Sequence, residues 1–194
     1  MSSGRLSFNP NYNLTGSLLV AAPGWSDGQY QESVCLVVHH SAQGAVGVML
    51  NRPLPCEVTA IWQLMGQTGK SKLDGKVYMG GPDSGPVVAM HQREELAEFS
   101  TGEGVFFAAQ IDHLKALLTD PKCDVRIYAG QVVWDAGVLD QQFDQGFWLP
   151  LGVSPHVVFE QAERMWPAAM RQIGDRVVQN LVGVVQAPAD ISVN

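Results

Sequence analysis

Five histidines, three cysteines and nineteen acidic side chains are the groups in this 194-residue chain that could bind a metal or move a proton. His39, His40, His91, His113 and His156 include no His-x-x-x-His pair, and Cys35, Cys56 and Cys123 show no Cys-x-x-Cys spacing, so no zinc site is signalled. Asp135, Asp140 and Asp144 lack the Asp-x-Asp-x-Asp-Gly order that wraps a divalent cation, and read as solvated loop acidity. Gly66-Gln67-Thr68-Gly69-Lys70-Ser71 ends like a phosphate-binding loop. However, Leu64 stands where that loop needs glycine, and a helix precedes the segment instead of following it. A plain solvated loop is expected. Pro82-Asp83-Ser84-Gly85-Pro86 resembles the nucleophile segment of trypsin-like proteases, with His39-His40 upstream as a base. A glycine needed beside the serine for the oxyanion hole is missing, and the histidines lie too close in sequence for two barrels. This segment reads as a turn before a strand.

The charge balance narrows the partners. Twelve basic against nineteen acidic side chains give a net charge of −7, most of it in the second half of the chain. The only local basic cluster is Lys70, Lys72 and Lys76, and no helix-turn-helix, aromatic-basic strand or zinc finger accompanies it, which argues against direct nucleic-acid binding. No uncharged apolar stretch approaches the ~18 residues of a spanning helix, so no membrane segment is expected. Gly16 to Ala22 imitates a secretory apolar region, but only Arg5 precedes it as a charge and no clear cleavage site follows. An odd number of cysteines, one of them inside the apolar run Val34 to Val38, favours a reducing compartment and a cytoplasmic location. No cofactor is signalled.

The elements that must position any site are short apolar runs bounded by Gly, Pro, Asn and Asp, mixed with fewer segments at helical spacing: an α+β chain. Strands are expected at Leu14 to Ala22, Val34 to His40 and Ala45 to Asn51, the last two joined by a hairpin connection at Ser41 to Gly44. Adjacent His39 and His40 then face opposite sides of a strand. Pro53 and Pro55 are expected to end the third strand. Val58, Ile61, Trp62 and Met65 share one face of a short helix closing at Gly66. Further strands are expected at Val77 to Met79, Val87 to His91, Val105 to Ala109, Asp124 to Tyr128 and Phe147 to Leu151. Ile111 to Leu118 reads as a helix stopped by Asp120-Pro121. Ser154-Pro155 starts a helix expected to run to about Trp166, with a kink or restart at Pro167 and closure at Gly174. Residues 1–194 read as one domain with its core at about 14–174 and a polar tail after about Ala187.

Several blocks in order resemble the YqgE/AlgH family of bacterial proteins. They are Gly16-Ser17-Leu18-Leu19-Val20-Ala21 with Pro23 and Asp27, then His40-Ser41-Ala42-Gln43-Gly44-Ala45-Val46-Gly47 and Asn51-Arg52-Pro53. Gly80-Gly81-Pro82 with His91, and Trp134 to Asp140 through Gly146-Phe147-Trp148, complete the match. The chain departs from the family pattern at Gln131, Val132 and Val133, and at Val138, where the family usually has glutamine. The resemblance implies an α+β fold with a mainly antiparallel, bifurcated, barrel-like sheet flanked by helices. Trp148 and Trp166 are expected as core or interface aromatics and the glycines as turn or close-approach positions.

Asp27, His40, Asn51, Arg52 and His91 are the family-matching polar residues without an evident duty in the fold, and they form the candidate ligand- or partner-binding set. Three functions follow. The leading expectation is a non-enzymatic cytoplasmic binding or regulatory module that recognises a protein or a small molecule. The alternative is a hydrolase-type enzyme using His40 or His91 as general base with Asp27 orienting it. The third, carried by the regulator label on some family members, is a transcriptional regulator acting indirectly.

Overall fold

The structure, a computed structural model, describes residues 13–120 and 122–185. The expected polar tail, and Pro121 in the helix stop, lie outside the described residues.

The first three strands are β1 (Leu18–Ala21), β2 (Val34–Ser41) and β3 (Gly44–Met49), antiparallel in sequence as expected. Each alternates between two apolar surroundings. Leu18, Val20, Val34, Leu36 and Val48 face one buried cluster, while Leu19, Ala21, Cys35, Val37, Ala45 and Met49 face another. Burial on both faces is why these strands read as continuous apolar runs. β10 (Trp148–Leu151) closes this wing by pairing with β1, Leu18 opposite Leu151.

A second wing contains β5 (Lys76–Met79), β6 (Asp83–His91), β7 (Phe99–Ser100) and β8 (Phe106–Ala108). β4 (Pro53–Glu57) pairs, among the described residues, only with β5. The third strand does end before Pro53, at Met49, and the prolines belong to a new strand held at an edge, where a missing amide costs no central ladder bond.

The two wings meet on β9 (Val125–Asp135), far longer than the expected Asp124 to Tyr128. Its first half pairs with β6 and, in parallel, with β5; its second half pairs with β3. Gly130 sits at the joint with φ +81°. Tyr128 faces the same cluster as Leu18, whereas Val132 and Trp134, of the same parity, face the opposite one. The left-handed residue thus acts as a bulge that reverses which side chains point inward. The sheet curls into a half-barrel that splits where β3 and β6 part company, as the bifurcated antiparallel expectation requires.

Helices cover both faces. α1 (Val58–Leu64) and α2 (Ile111–Thr119) pack on β5, β6, β8 and the first half of β9 through Ile61, Trp62, Leu114, Leu117 and Leu118. α3 (Val138–Asp144), which the sequence reading did not anticipate, packs Leu139 and Phe143 against Trp134 and Trp148. α4 (Pro155–Val158) starts as expected, with the Ser154 hydroxyl accepting from the Val157 amide, but stops after one turn. Arg126 ends it by donating to the carbonyls of Val158, Phe159 and Glu160. The restart thus falls before Ala162, not at Pro167. α5 (Ala162–Val185) then runs through both Pro167 and Gly174, where a kink and a closure were expected. Met165, Ala169, Met170 and Ile173 bind its first half to the sheet, and the packing of that face outweighs the one internal bond the proline removes. No helix among the described residues is long and apolar enough to cross a membrane.

Candidate functional site

The five sequence-derived residues fall at three places. Asn51, buried, uses both ends of its amide: Oδ1 accepts from the Val34 amide at 3.0 Å and Nδ2 donates to the Glu32 carbonyl at 2.9 Å. Arg52 donates to the Gln31 carbonyl, and burial lowers the affinity of its guanidinium for its proton. The two side chains clamp the turn before β2, where Glu32 adopts φ +53°. Asp27 lies exposed in the same loop and accepts from the Gln29 amide at 2.9 Å, an Asx turn.

His40 stands at the far end of β2. Its Nδ1 accepts the Leu14 amide at 3.2 Å, and its Nε2 meets Asp140 on α3 at 3.3 Å. The bond to Nδ1 places the ring proton on Nε2, so in this geometry neither nitrogen of the neutral ring is open to take a substrate proton. The carboxylate facing His40 is that of Asp140; no hydrogen bond or ion pair among the described residues joins Asp27 to either histidine.

His91 ends β6 and is fully buried. Its Nδ1 accepts the Arg93 amide at 3.2 Å, while Nε2 has no hydrogen-bond partner among the described residues. Burial first, and then the Arg93 charge, hold its pKa below the ordinary histidine value, which keeps the ring neutral. Glu98 ties this corner together: it accepts the Ala109 and Gln110 amides ahead of α2 and pairs with His113 at 2.8 Å.

A cavity lies elsewhere, on the concave face where the sheet divides. It measures about 200 Å³, and Val46, Val48, Val88 and Phe107 lie along it, with Phe99 and Glu98 at the rim. Gly130 and Gln131 border it at the joint. The five sequence-derived residues lie outside its lining. The gap exists because β6 leaves the ladder with β9 between Asp83 and Val87. Gly80 and Gly81 allow that departure: a Cβ on Gly80 would meet the Gly130 carbonyl oxygen at 2.3 Å, and one on Gly81 the Gln131 oxygen at 2.0 Å. Gln131 reaches under the arch and donates to the Ser84 carbonyl. Cavity-lining valines from separate strands leave no local pattern. The glycine pair at 80–81 and Gly130 are the traces of the crossing that a sequence displays.

A curled, mainly antiparallel half-barrel, split at a shared strand and flanked by helices on both faces, defines a mixed α+β class of protein with an apolar concave pocket. Comparison with known proteins gives that class its family: the AlgH-like DUF179 model matches residues 18–178, and the chain belongs to this family. A UPF0301 protein of Thiobacillus denitrificans is 31% identical over 170 residues, covering 84% of this chain and 92% of its own. One from Methylocella silvestris is 32% identical over 178 residues, covering 83% and 85%. The solution structure of the AlgH protein from Pseudomonas aeruginosa superposes with a TM-score of 0.66 at 26% identity, covering 89% of this chain and 93% of that one. A crystal structure from Corynebacterium diphtheriae shares the fold at the same TM-score and 21% identity, over 89% of this chain and 94% of its own.

Proposed function

We propose that the chain is a cytoplasmic, non-enzymatic binding or regulatory module whose site is the apolar pocket at the split of the half-barrel. The observation that carries this reading is the pocket's size and lining. About 200 Å³ walled by valine and phenylalanine suits one aromatic or branched aliphatic group. A cavity of ~150 Å³ of similar character takes benzene, whereas drug-sized ligands occupy ~300–1,000 Å³. The occupied nitrogen pairs of His40 and the backbone duties of Asn51 and Arg52 support assigning these residues to the scaffold.

Titration of the methyl-labelled protein with indole tests the reading. Resonances of Val46, Val48 and Val88 shift together, and Val46→Phe, which fills the space, abolishes the effect. Absence of any shift at these methyls at millimolar indole, or shifts confined to another region, would overturn it.

A further inference from the structure

The pocket opens beside the last strand of the sheet. Among the described residues β7 pairs only with β8, Phe99 opposite Phe107 and Ser100 opposite Phe106, and no described strand lies against its outer side. An edge of this kind presents backbone donors and acceptors to any extended chain that approaches. Phe99 is 38% exposed and lines the pocket, so a strand laid along β7 runs beside a residue of the cavity wall.

The same edge is strongly acidic. Between Glu94 and Gly104 the sequence holds Glu94, Glu95, Glu98 and Glu103 and no lysine or arginine. Glu94 and Glu103 are exposed and make no ion pair among the described residues, and Glu98 lies on the rim itself. Arg93, the nearest cation in sequence, is turned away into bonds with Glu95 and the Asp120 carbonyl.

We infer that this edge binds a basic extended peptide, which adds a strand to β7 and seats one branched aliphatic or aromatic side chain in the pocket, flanked within two residues by Lys or Arg. The inference rests on the pocket being a binding site and names its partner. Three features converge on it. The cavity holds one side chain, the free edge supplies main-chain bonds, and the glutamates select cations and repel acidic peptides. The alternation of an extended strand turns every second side chain toward the concave face, so a single anchor sets the register.

The test is a random heptapeptide library displayed on phage and panned at about 50 mM salt on the whole chain, with counter-selection on Val46→Phe. Enriched peptides are expected to carry one Val, Ile, Leu or Phe beside Lys or Arg. A fluorescein-labelled synthetic copy is expected to lose about tenfold or more in affinity at 0.5 M salt and in the Glu94→Lys, Glu103→Lys double variant. In the unmodified protein it shifts the Phe99 and Ser100 amides together with the Val46 and Val88 methyls. No enrichment, an acidic or uncharged consensus, or shifts away from β7 would overturn the inference. If Val46→Phe does not fold, panning without counter-selection and mapping on the unmodified protein decide the matter. Indole binding with no basic consensus removes the peptide partner and leaves the binding module standing; loss of both removes both.

Discussion

Gly81 crosses the backbone of Gln131 so closely that a Cβ on the glycine would fall 2.0 Å from the Gln131 carbonyl oxygen and 2.5 Å from the Val132 nitrogen. Backbone, unlike a flexible side chain, cannot step aside. Gly81→Ala is therefore expected to destabilise the protein by about 3 kcal/mol and to prise β6 from β9 at the pocket. Gly28→Ala, with open space around it, is the control and should stay within about 0.5 kcal/mol. Urea midpoints of the two variants check this pair.

Gln142 on α3 holds two tryptophans with one atom: its Oε1 accepts from Trp134 Nε1 and from Trp148 Nε1, each at 3.0 Å. Gln142→Leu leaves both indole donors without a partner in the interior and should cost about 2–3 kcal/mol. Gln142→Glu keeps an acceptor and should cost less. Denaturation followed by tryptophan fluorescence distinguishes the two, because the affected rings are the reporters.

Acid should weaken the corner around His91. The ring is buried, and Arg93 and His113 disfavour its charge while Glu95 and Glu98 favour it, with a net lowering of the folded pKa. Its neutral form is favoured in the folded chain, so stability from this group is full above about pH 6.5 and falls as pH drops from there toward the folded value. Glu98 acts in the same sense at lower pH: its folded pKa is lowered too, so its contribution is present above about pH 4.5 and is lost only below that. Urea midpoints between pH 3 and 8 should show one decline setting in below about pH 6.5 and a further one setting in below about pH 4.5. His91→Gln should remove the upper one and leave the lower.

The three thiols should not react alike. Cys35 is fully buried between β2 and the Trp134 side of the core, and burial pushes its thiol pKa far up, so little thiolate exists to attack a disulfide reagent. Cys56 and Cys123 are half-buried and free. In the native protein a colorimetric thiol assay should count two reactive groups, and a third should appear only on unfolding.

How much of this was legible depended on whether a physical signal was local. The β2 and β3 strands were readable because both faces are buried and their apolar runs are unbroken. β9 runs past the expected end at Tyr128 because one left-handed glycine, Gly130, lets the strand continue with its faces exchanged. Gly174 looks like a helix stop and Pro167 like a break, yet tertiary contacts of Met165, Ala169 and Ile173 carry α5 through this stretch. Asn51 and Arg52 show no duty in the sequence because the backbone carbonyls they hold, from Glu32 and Gln31, reach them only in the folded chain. The pocket belongs to residues that are each ordinary; only their assembly from separate strands makes a site.

The sharing of β9 by both wings also sets the order in which the chain can be completed. Neither β3 nor β6 gains its second neighbour until residues 125–135 have been synthesised, and β1 waits longer still for β10 near residue 151. The β1–β10 pairing, separated by more than a hundred residues, makes closure slow relative to a helical bundle of equal length. During translation the edge of β3 that β9 covers therefore has no partner strand until residues 132–135 have been made.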